Sequence, residues 1–162
     1  ALLQLARKVR ANGGRVAFDG NYRPALWSDP AEAGHWRDAA IACSDIGLPT
    51  LEDEVVMGEP ADATAVAAHW QGLGCGEVVV KLGTAGCRLP DGTVQPPPAK
   101  IDPVDTSGAG DAFNAGYLVA RLAGMPPAAA ALAGQRLAGC VIMRRGAIPP
   151  VPEWPGLLED VR

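Results

Sequence analysis

The chain has 162 residues, of which 48% are hydrophobic, and its formal net charge at pH 7 is −4. This length and apolar content suffice for one domain with a buried core. Acidic and basic residues are interspersed, without the basic stripe that binds nucleic acid or an anionic membrane. Pro, Gly, Gln or Arg interrupt every apolar stretch well before the ~20 residues needed to span a bilayer. We therefore expect a cytoplasmic protein without nucleic-acid or membrane partners.

The cysteines and the first residues of the chain support this expectation. The four cysteines, at 43, 75, 87 and 140, are widely spaced and form no Cys-x-x-Cys pair. Reduced, buried thiols are the favoured interpretation over a metal site or disulfides. The opening Ala1–Arg10 lacks Met and the features of a signal peptide, and it reads as a helix within a longer protein.

The first part of the chain alternates helical and strand patterns. Asn12-Gly13-Gly14 ends the first predicted helix, and Asp29-Pro30 begins the second. Asp62 is a candidate N-cap for a later, alanine-rich helix. Helices are predicted over 2–11, 30–43, 51–57 and 62–73, and strands over 16–18, within 41–48 and over 78–82.

The second part of the chain is predicted to begin with a turn and a hairpin and to end in two long helices. The turn covers 83–86, the hairpin strands cover 87–89 and 93–95, and the helices cover 108–122 and 128–143. Strands alternating with helices predict an α/β fold with a doubly wound, mostly parallel sheet and helices on both faces. In such sheets ligands bind at the carboxyl ends of the strands.

One glycine-rich segment points to phosphate chemistry. Asp105-Thr-Ser-Gly-Ala-Gly-Asp111 stands directly before a predicted helix, whose first amides and dipole attract an anion. A carboxylate is a poor phosphate ligand, but it can accept the proton of an attacking hydroxyl during phosphoryl transfer. An ordinary helix start with a dipole-favoured Asp is the alternative. The Gly-Lys-Ser/Thr of a P-loop and the third glycine of a dinucleotide fingerprint are both missing.

Three stretches together resemble the ribokinase/phosphofructokinase-B superfamily of carbohydrate kinases. They are Asp105-Thr-Ser-Gly-Ala-Gly-Asp111-Ala-Phe-Asn114-Ala-Gly-Tyr117, Asp19-Gly-Asn21-Tyr22-Arg23-Pro24-Ala-Leu26-Trp27 and the looser Val80–Gly86 between them. The second stretch is most similar to that of 2-keto-3-deoxygluconate kinases. The similarity covers nearly the whole chain as the C-terminal nucleotide-binding and catalytic part, residues 1–162, of a ribokinase-like domain. The family's N-terminal half and lid are missing here.

The resemblance implies roles for individual residues. Asp111 would be the catalytic base, and it would contact the acceptor together with Arg23, whose guanidinium suits a carboxylate or phosphate. The anion hole would comprise Gly108, Ala109 and Gly110. The nucleotide-binding residues would be Thr50, Lys81, Leu82, Gly83, Thr84, Ala85, Gly86, Cys87 and Gln135. A plain strand and turn, a solvated arginine and a polar residue on a helix are the competing interpretations.

The resemblance also implies cofactors. These are ATP with Mg²⁺, and a monovalent cation such as K⁺ at carbonyls near Asp105. Where many relatives have Asn-x-x-Glu near the phosphates, this chain has Thr50 followed by acidic residues 52–54, which are candidates for the metal shell. An acidic helix start stabilised by its dipole explains the same pattern.

The resemblance leaves three functions open. Phosphorylation of 2-keto-3-deoxygluconate comes first, ribokinase or fructokinase activity is the alternative, and a nucleotide-binding fragment without turnover is the rival from another class. A former domain face exposed in such a fragment would favour a homo-oligomer.

Overall fold

The computed structural model describes residues 1–148. The described chain divides into two compact units. The first contains residues 1–82 and 90–93, and the second contains residues 83–89 and those from 94 onward. Among the described residues, no helix is long and apolar enough to cross a membrane.

The first unit is built on a three-stranded parallel sheet. Its strands are β1 (Ala17–Phe18), β2 (Ile46–Gly47) and β3 (Glu77–Val78), in that spatial order. Ala17 pairs with Ile46, which pairs in turn with Glu77. Strand β4 (Val80–Lys81) follows β3 directly. The helices of this unit are α1 (Leu2–Ala11), α2 (Pro30–Ile41), α3 (Leu51–Val56) and α4 (Ala63–Gly72), with a 3₁₀ turn at Pro24–Leu26.

Two carboxylates begin helices where the sequence predicts them. Asp29 Oδ1 accepts a hydrogen bond from Ala31 N at 2.8 Å at the start of α2. Asp62 Oδ1 accepts one from Thr64 N at 2.9 Å at the start of α4. Each bond satisfies an amide that has no partner inside its helix.

The core of the first unit surrounds Trp70, which is fully buried. Phe18 of β1 stacks on its ring with the centroids 5.7 Å apart. A Cβ on Gly47 would stand 2.5 Å from the same ring, so β2 needs glycine at this point. The other buried members of this core are Ile41, Val66, Ala67, Cys75, Val78 and Val80.

A buried ion pair ties three helices together. Arg37 of α2 donates to Glu54 of α3 at 3.1 Å and to Glu59 at 3.0 Å. Trp70 Nε1 of α4 donates to the same Glu54 oxygen at 3.1 Å. Burial raises the pKa of Glu54, and the bonds from Trp70 and Arg37 oppose that rise. Since a buried charge without a partner is costly, the three side chains depend on one another.

The second unit contains a hairpin and a pair of long helices. β5 (Cys87–Arg88) and β6 (Val94–Gln95) are antiparallel. The helices are α5 (Ala109–Leu122) and α6 (Pro127–Ile142). They cross so closely that a Cβ on Gly116 would stand 2.8 Å from Ala133 O. On α6, a Cβ on Gly134 would stand 2.7 Å from Phe113 O of α5.

The structure confirms the α/β fold and every predicted helix, with shifted boundaries. The helix predicted over 30–43 ends at Ile41, and the last helix begins at Pro127. The strand predicted over 78–82 is interrupted at Val79. Val79 N donates to Gly47 O, and Lys81 N donates to Pro49 O. Between these two bonds the ladder requires a donor from Pro49, which has no N–H, so the pairing is interrupted at Val79 and resumes with the parallel bridge between Thr50 and Lys81.

Candidate active site

The glycine-rich segment forms a tight turn before α5. Gly108 is the N-cap of α5 and has a left-handed backbone with φ of 75°. A Cβ at this position would stand 2.7 Å from the Cβ of Ala147 and 2.9 Å from its carbonyl oxygen. Both the backbone angle and the close approach of Ala147 therefore require glycine here.

Asp105 fixes the start of this turn. Its Oδ1 accepts a hydrogen bond from Ser107 N at 2.9 Å, and its Oδ2 accepts one from Gly146 N at 3.0 Å. These bonds lower the pKa of Asp105 to about 2, and the bond from Gly146 has the largest effect. A single carboxylate thus joins the turn to the segment that follows α6.

Asp111 lies in the first turn of α5 and is exposed. The first amides of a helix have no partners inside it and carry the positive end of the helix dipole. Ala109 N donates to Thr106 O at 3.2 Å, which closes the turn on itself. The structure therefore brings the predicted base and Gly108–Gly110 together at one helix start.

A cluster of four charged side chains lies in the first unit, near the carboxyl ends of the strands. Lys81 Nζ lies 2.5 Å from Asp19 Oδ2, and the Lys81 side chain is only 9% exposed. Arg23 Nη1 lies 3.6 Å from Asp53 Oδ1. Burial raises the pKa of Asp53. The positive charges of Arg23 and Lys81 lower this pKa, and the negative charge of Asp19 raises it. We call these four residues the charged cluster.

Arg23 is the exposed member of this cluster. Its side chain is 57% exposed, and Nη1 also donates to Tyr22 O at 2.7 Å. It is therefore accessible to an anion, although Asp53 already faces it. The pairing of Arg23 with Asp53 could not be read from the sequence, because nothing local links a loop arginine to a carboxylate on α3.

The acidic residues that sequence analysis grouped as metal-shell candidates are separated in the structure. Glu52 is exposed, Asp53 faces Arg23, and Glu54 is buried against Arg37 and Trp70. Thr50 is the N-cap of α3 without a side-chain capping bond. Within residues 1–148, no group of three or more His, Cys, Asp or Glu side chains could hold a metal ion.

The predicted nucleotide turn lies in the second unit except for its first residues. Lys81 and Leu82 belong to the first unit, where Leu82 packs against the core. Gly83–Ala85 forms a 3₁₀ turn. A Cβ on Gly86 would stand 2.1 Å from Gln95 O, so the turn lies directly against β6. Thr84 is exposed.

Cys87 and Gln135, both predicted near the nucleotide, are buried and in contact. Gln135 Nε2 donates to Gln95 O at 3.0 Å and to Cys87 Sγ at 3.7 Å. Burial raises the pKa of Cys87 to about 11, so it is a neutral thiol. The Gln135 amide binds the hairpin in this structure, and its contact with a nucleotide stays a prediction.

Comparison with known proteins identifies the family. The model of the pfkB family carbohydrate kinases matches residues 1–154, and the chain belongs to this family. It is 41% identical to 2-dehydro-3-deoxygluconokinase of Escherichia coli K12 over 160 residues, covering 95% of this chain and 52% of that protein. The chain thus spans about half the length of this curated relative.

Solved structures of carbohydrate kinases share the fold. The aminoimidazole riboside kinase of Salmonella enterica, complexed with aminoimidazole riboside and an ATP analog, is similar with a TM-score of 0.82 at 26% identity, covering 99% of this chain and 56% of that one. An E. coli protein in complex with ATP and Mg²⁺ has a TM-score of 0.76 at 27% identity, covering 91% and 48%. The fold is therefore ribokinase-like.

Proposed function

We propose that the natural protein containing this chain is a kinase that transfers the γ-phosphoryl group of ATP to a hydroxyl of a sugar acid. The first candidate is 2-keto-3-deoxygluconate, also called 2-dehydro-3-deoxygluconate. The observation that carries this proposal is the position of Asp111, exposed in the first turn of α5 and three residues after the left-handed Gly108. Family membership supports the class of reaction, and the similarity to 2-dehydro-3-deoxygluconokinase supports the acceptor.

The proposed chemistry divides between Asp111 and the turn before it. Asp111 accepts the proton of the acceptor hydroxyl as the new oxygen–phosphorus bond forms and ADP leaves. The amides of Gly108, Ala109 and Gly110 stabilise the charge on the transferring phosphoryl group, with the Ala109 N–H shared between a phosphoryl oxygen and Thr106 O.

Arg23 is proposed to recognise the acceptor. Its guanidinium is exposed, always charged and able to form two parallel hydrogen bonds to a carboxylate. An anionic acceptor would compete with Asp53 for it. A sugar without a carboxylate would gain less from this arginine, and this difference favours the keto-acid over ribose or fructose.

ATP and Mg²⁺ are the proposed cofactors, and the protein is proposed to act in the cytoplasm. In kinase sites Mg²⁺ takes one or two carboxylates together with phosphate oxygens and water. When bound, Mg²⁺ would neutralise charge on the β- and γ-phosphates. The monovalent cation near Asp105, and nucleotide contacts by Thr50 and by the backbone of residues 81–87, stay part of the proposal.

The experiment is a measurement of ATP consumption by the protein at its natural length, with 2-keto-3-deoxygluconate, ribose and fructose as acceptors. We expect turnover with the keto-acid and a loss of about 10²–10⁴-fold in kcat for Asp111→Asn. The exposed Asp102, which lies in the loop before the turn, supplies the matched control. Asp102→Asn should leave kcat unchanged.

Two results would contradict the proposal in different ways. Turnover with ribose or fructose alone would keep the kinase and replace the acceptor; the riboside bound by the Salmonella relative is the observation that favours this second candidate. ATP binding without turnover on any acceptor would instead support a non-catalytic nucleotide-binding protein.

A further inference from the structure

Lys81 is a buried ammonium whose described partner belongs to the loop that carries Arg23. The residue is 7% exposed on β4, and its Nζ lies 2.5 Å from Asp19 Oδ2. A buried ammonium without a hydrogen-bonded partner is strongly disfavoured. The side chain is therefore held toward the end of β1.

The second oxygen of Asp19 shapes the backbone that leads to Arg23. Asp19 Oδ1 accepts a hydrogen bond from Asn21 N at 3.1 Å. Asn21 has a φ of 39°, in the left-handed region that few residues other than glycine adopt. One carboxylate thus binds Lys81 and stabilises an uncommon turn two residues before the arginine. Any movement of Asp19 would shift that turn.

The four members of the charged cluster carry equal numbers of negative and positive charges. Asp19 and Asp53 contribute two negative charges, and Arg23 and Lys81 contribute two positive charges. The charges of Arg23, Asp19 and Lys81 each act on the pKa of Asp53, as does that of the neighbouring Glu52. Without Lys81 the cluster would carry one net negative charge beside the group proposed to bind an anion. Such a charge repels a carboxylate and has little effect on a neutral sugar.

We propose that Lys81 is a positioning residue for the anionic acceptor, and that its ammonium serves the acceptor rather than the nucleotide. It fixes Asp19, and through Asp19 the turn before Arg23, and it offsets the carboxylates of the charged cluster. This inference rests on the proposed function, since it concerns the acceptor of that same reaction. It assigns the Lys81 side chain a role distinct from the nucleotide contact that the family resemblance implies.

The test compares Lys81→Met, Lys81→Arg and Asp19→Asn in the protein at its natural length, using steady-state kinetics for both substrates. Lys81→Met should raise the KM for 2-keto-3-deoxygluconate about tenfold or more, while the KM for ATP changes less than about twofold. Lys81→Arg keeps the charge and should recover part of the loss. Lys8 is an exposed lysine on α1, and Lys8→Met is the control that should change neither KM.

The double variant Lys81→Met/Asp19→Asn guards against a folding failure. It removes both members of the Lys81–Asp19 ion pair together, so neither is left without the other and the cluster stays neutral. If Lys81→Met fails to fold, we expect the double variant to fold and still to show a raised KM for the keto-acid, because no ammonium fixes the side chain at position 19. Circular dichroism and thermal melting establish folding for each variant.

The outcomes separate this inference from the proposed function. An increase in the KM for ATP with an unchanged KM for the keto-acid would overturn the inference and leave the kinase intact. Equal increases in both, or no change in the folded double variant, would overturn it as well. If the wild-type protein does not phosphorylate the keto-acid, the proposed acceptor is wrong and the inference falls with it.

Discussion

Gly108 illustrates how a single residue can satisfy two structural requirements. Its φ of 75° is unfavourable for a residue with a side chain, and Ala147 occupies the space where a Cβ would be. Motif similarity predicts glycine at this position for the sake of phosphate approach. The structure adds a packing reason that concerns the segment after α6.

Gly108→Ala is expected to impair both folding and catalysis. The left-handed backbone costs about 1–2 kcal/mol for a residue with a Cβ, and the contact with Ala147 adds to that loss. Urea unfolding should show the lower stability, and kcat should fall because the turn is displaced. Ala115 is exposed in the middle of α5, and Ala115→Ser provides a control that should be close to neutral. A Gly108→Ala variant with wild-type stability would show that the turn relaxes freely.

Asp105 predicts a dependence of stability on pH. Its pKa is lowered to about 2 by hydrogen bonds from Gly146 and Ser107, whereas an unfolded Asp titrates near 3.9. A lowered carboxyl pKa stabilises the folded state above the unfolded pKa, and this contribution disappears as pH falls through the folded value. We expect Asp105→Asn to have a lower Tm than wild type at pH 6, and the difference to shrink between pH 4 and pH 2. A difference that stays constant over this range would exclude the ionised carboxylate as its cause.

At the scale of secondary structure, the pair α5–α6 depends on the absence of two side chains. Gly116 and Gly134 allow the two backbones to approach each other directly. Glycine is otherwise a poor residue for a helix interior. The two helices therefore give up local helix stability for close packing.

The substitution Gly116→Ala tests whether close packing of α5 and α6 outweighs the helix propensity of alanine. Alanine favours the helix, but its Cβ would stand 2.8 Å from Ala133 O, so we expect a net loss of about 1–2 kcal/mol in the free energy of unfolding. Gly34 in α2 offers a matched control, because nothing lies within 4 Å of its Cβ position. Gly34→Ala should stabilise by about 0.5–1 kcal/mol. Stabilisation by both substitutions would show that the crossing is looser than described.

At the scale of the whole molecule, the two compact units contain different parts of the proposed chemistry. Arg23 and the charged cluster belong to the first unit, and Asp111 with its turn belongs to the second. The chain spans about half the length of the relative that supports the acceptor. α1 buries none of its residues in the described structure, and Leu2 is 81% exposed. Self-association through such a face stays a prediction.

Binding of MgATP should stabilise the folded protein independently of turnover. A ligand present at 100 times its Kd adds about 2.7 kcal/mol, which raises Tm by several degrees. We expect thermal melting to show this increase for wild type and for Asp111→Asn, since the base is not needed for nucleotide binding. Chelation of Mg²⁺ by EDTA should reduce the increase and abolish turnover. An unchanged Tm at saturating MgATP would contradict nucleotide binding by this protein.

The sequence alone determined the class of fold, the sites at which helices begin and the segment that carries Asp111. These features depend on neighbours along the chain. Asp29 and Asp62 each accept a hydrogen bond from the amide two residues further on, and glycine at position 108 permits the left-handed backbone of the turn. Local preferences of this kind are visible in any sequence. Even the interruption at Val79 follows from the missing N–H of Pro49, once the register between the two strands is known.

Only the tertiary structure decided which charges pair and which are buried. Lys81 and Asp19 are 62 positions apart, and their contact depends on the pairing of β1 with β2 and on the parallel bridge between Lys81 and Thr50, which follows β2. Three consecutive acidic residues look equivalent in the sequence, yet Glu54 alone is turned into the interior by Arg37 and Trp70. Burial and partner choice are set by the packing of elements that are distant along the chain, and local sequence preference contains no information about that packing.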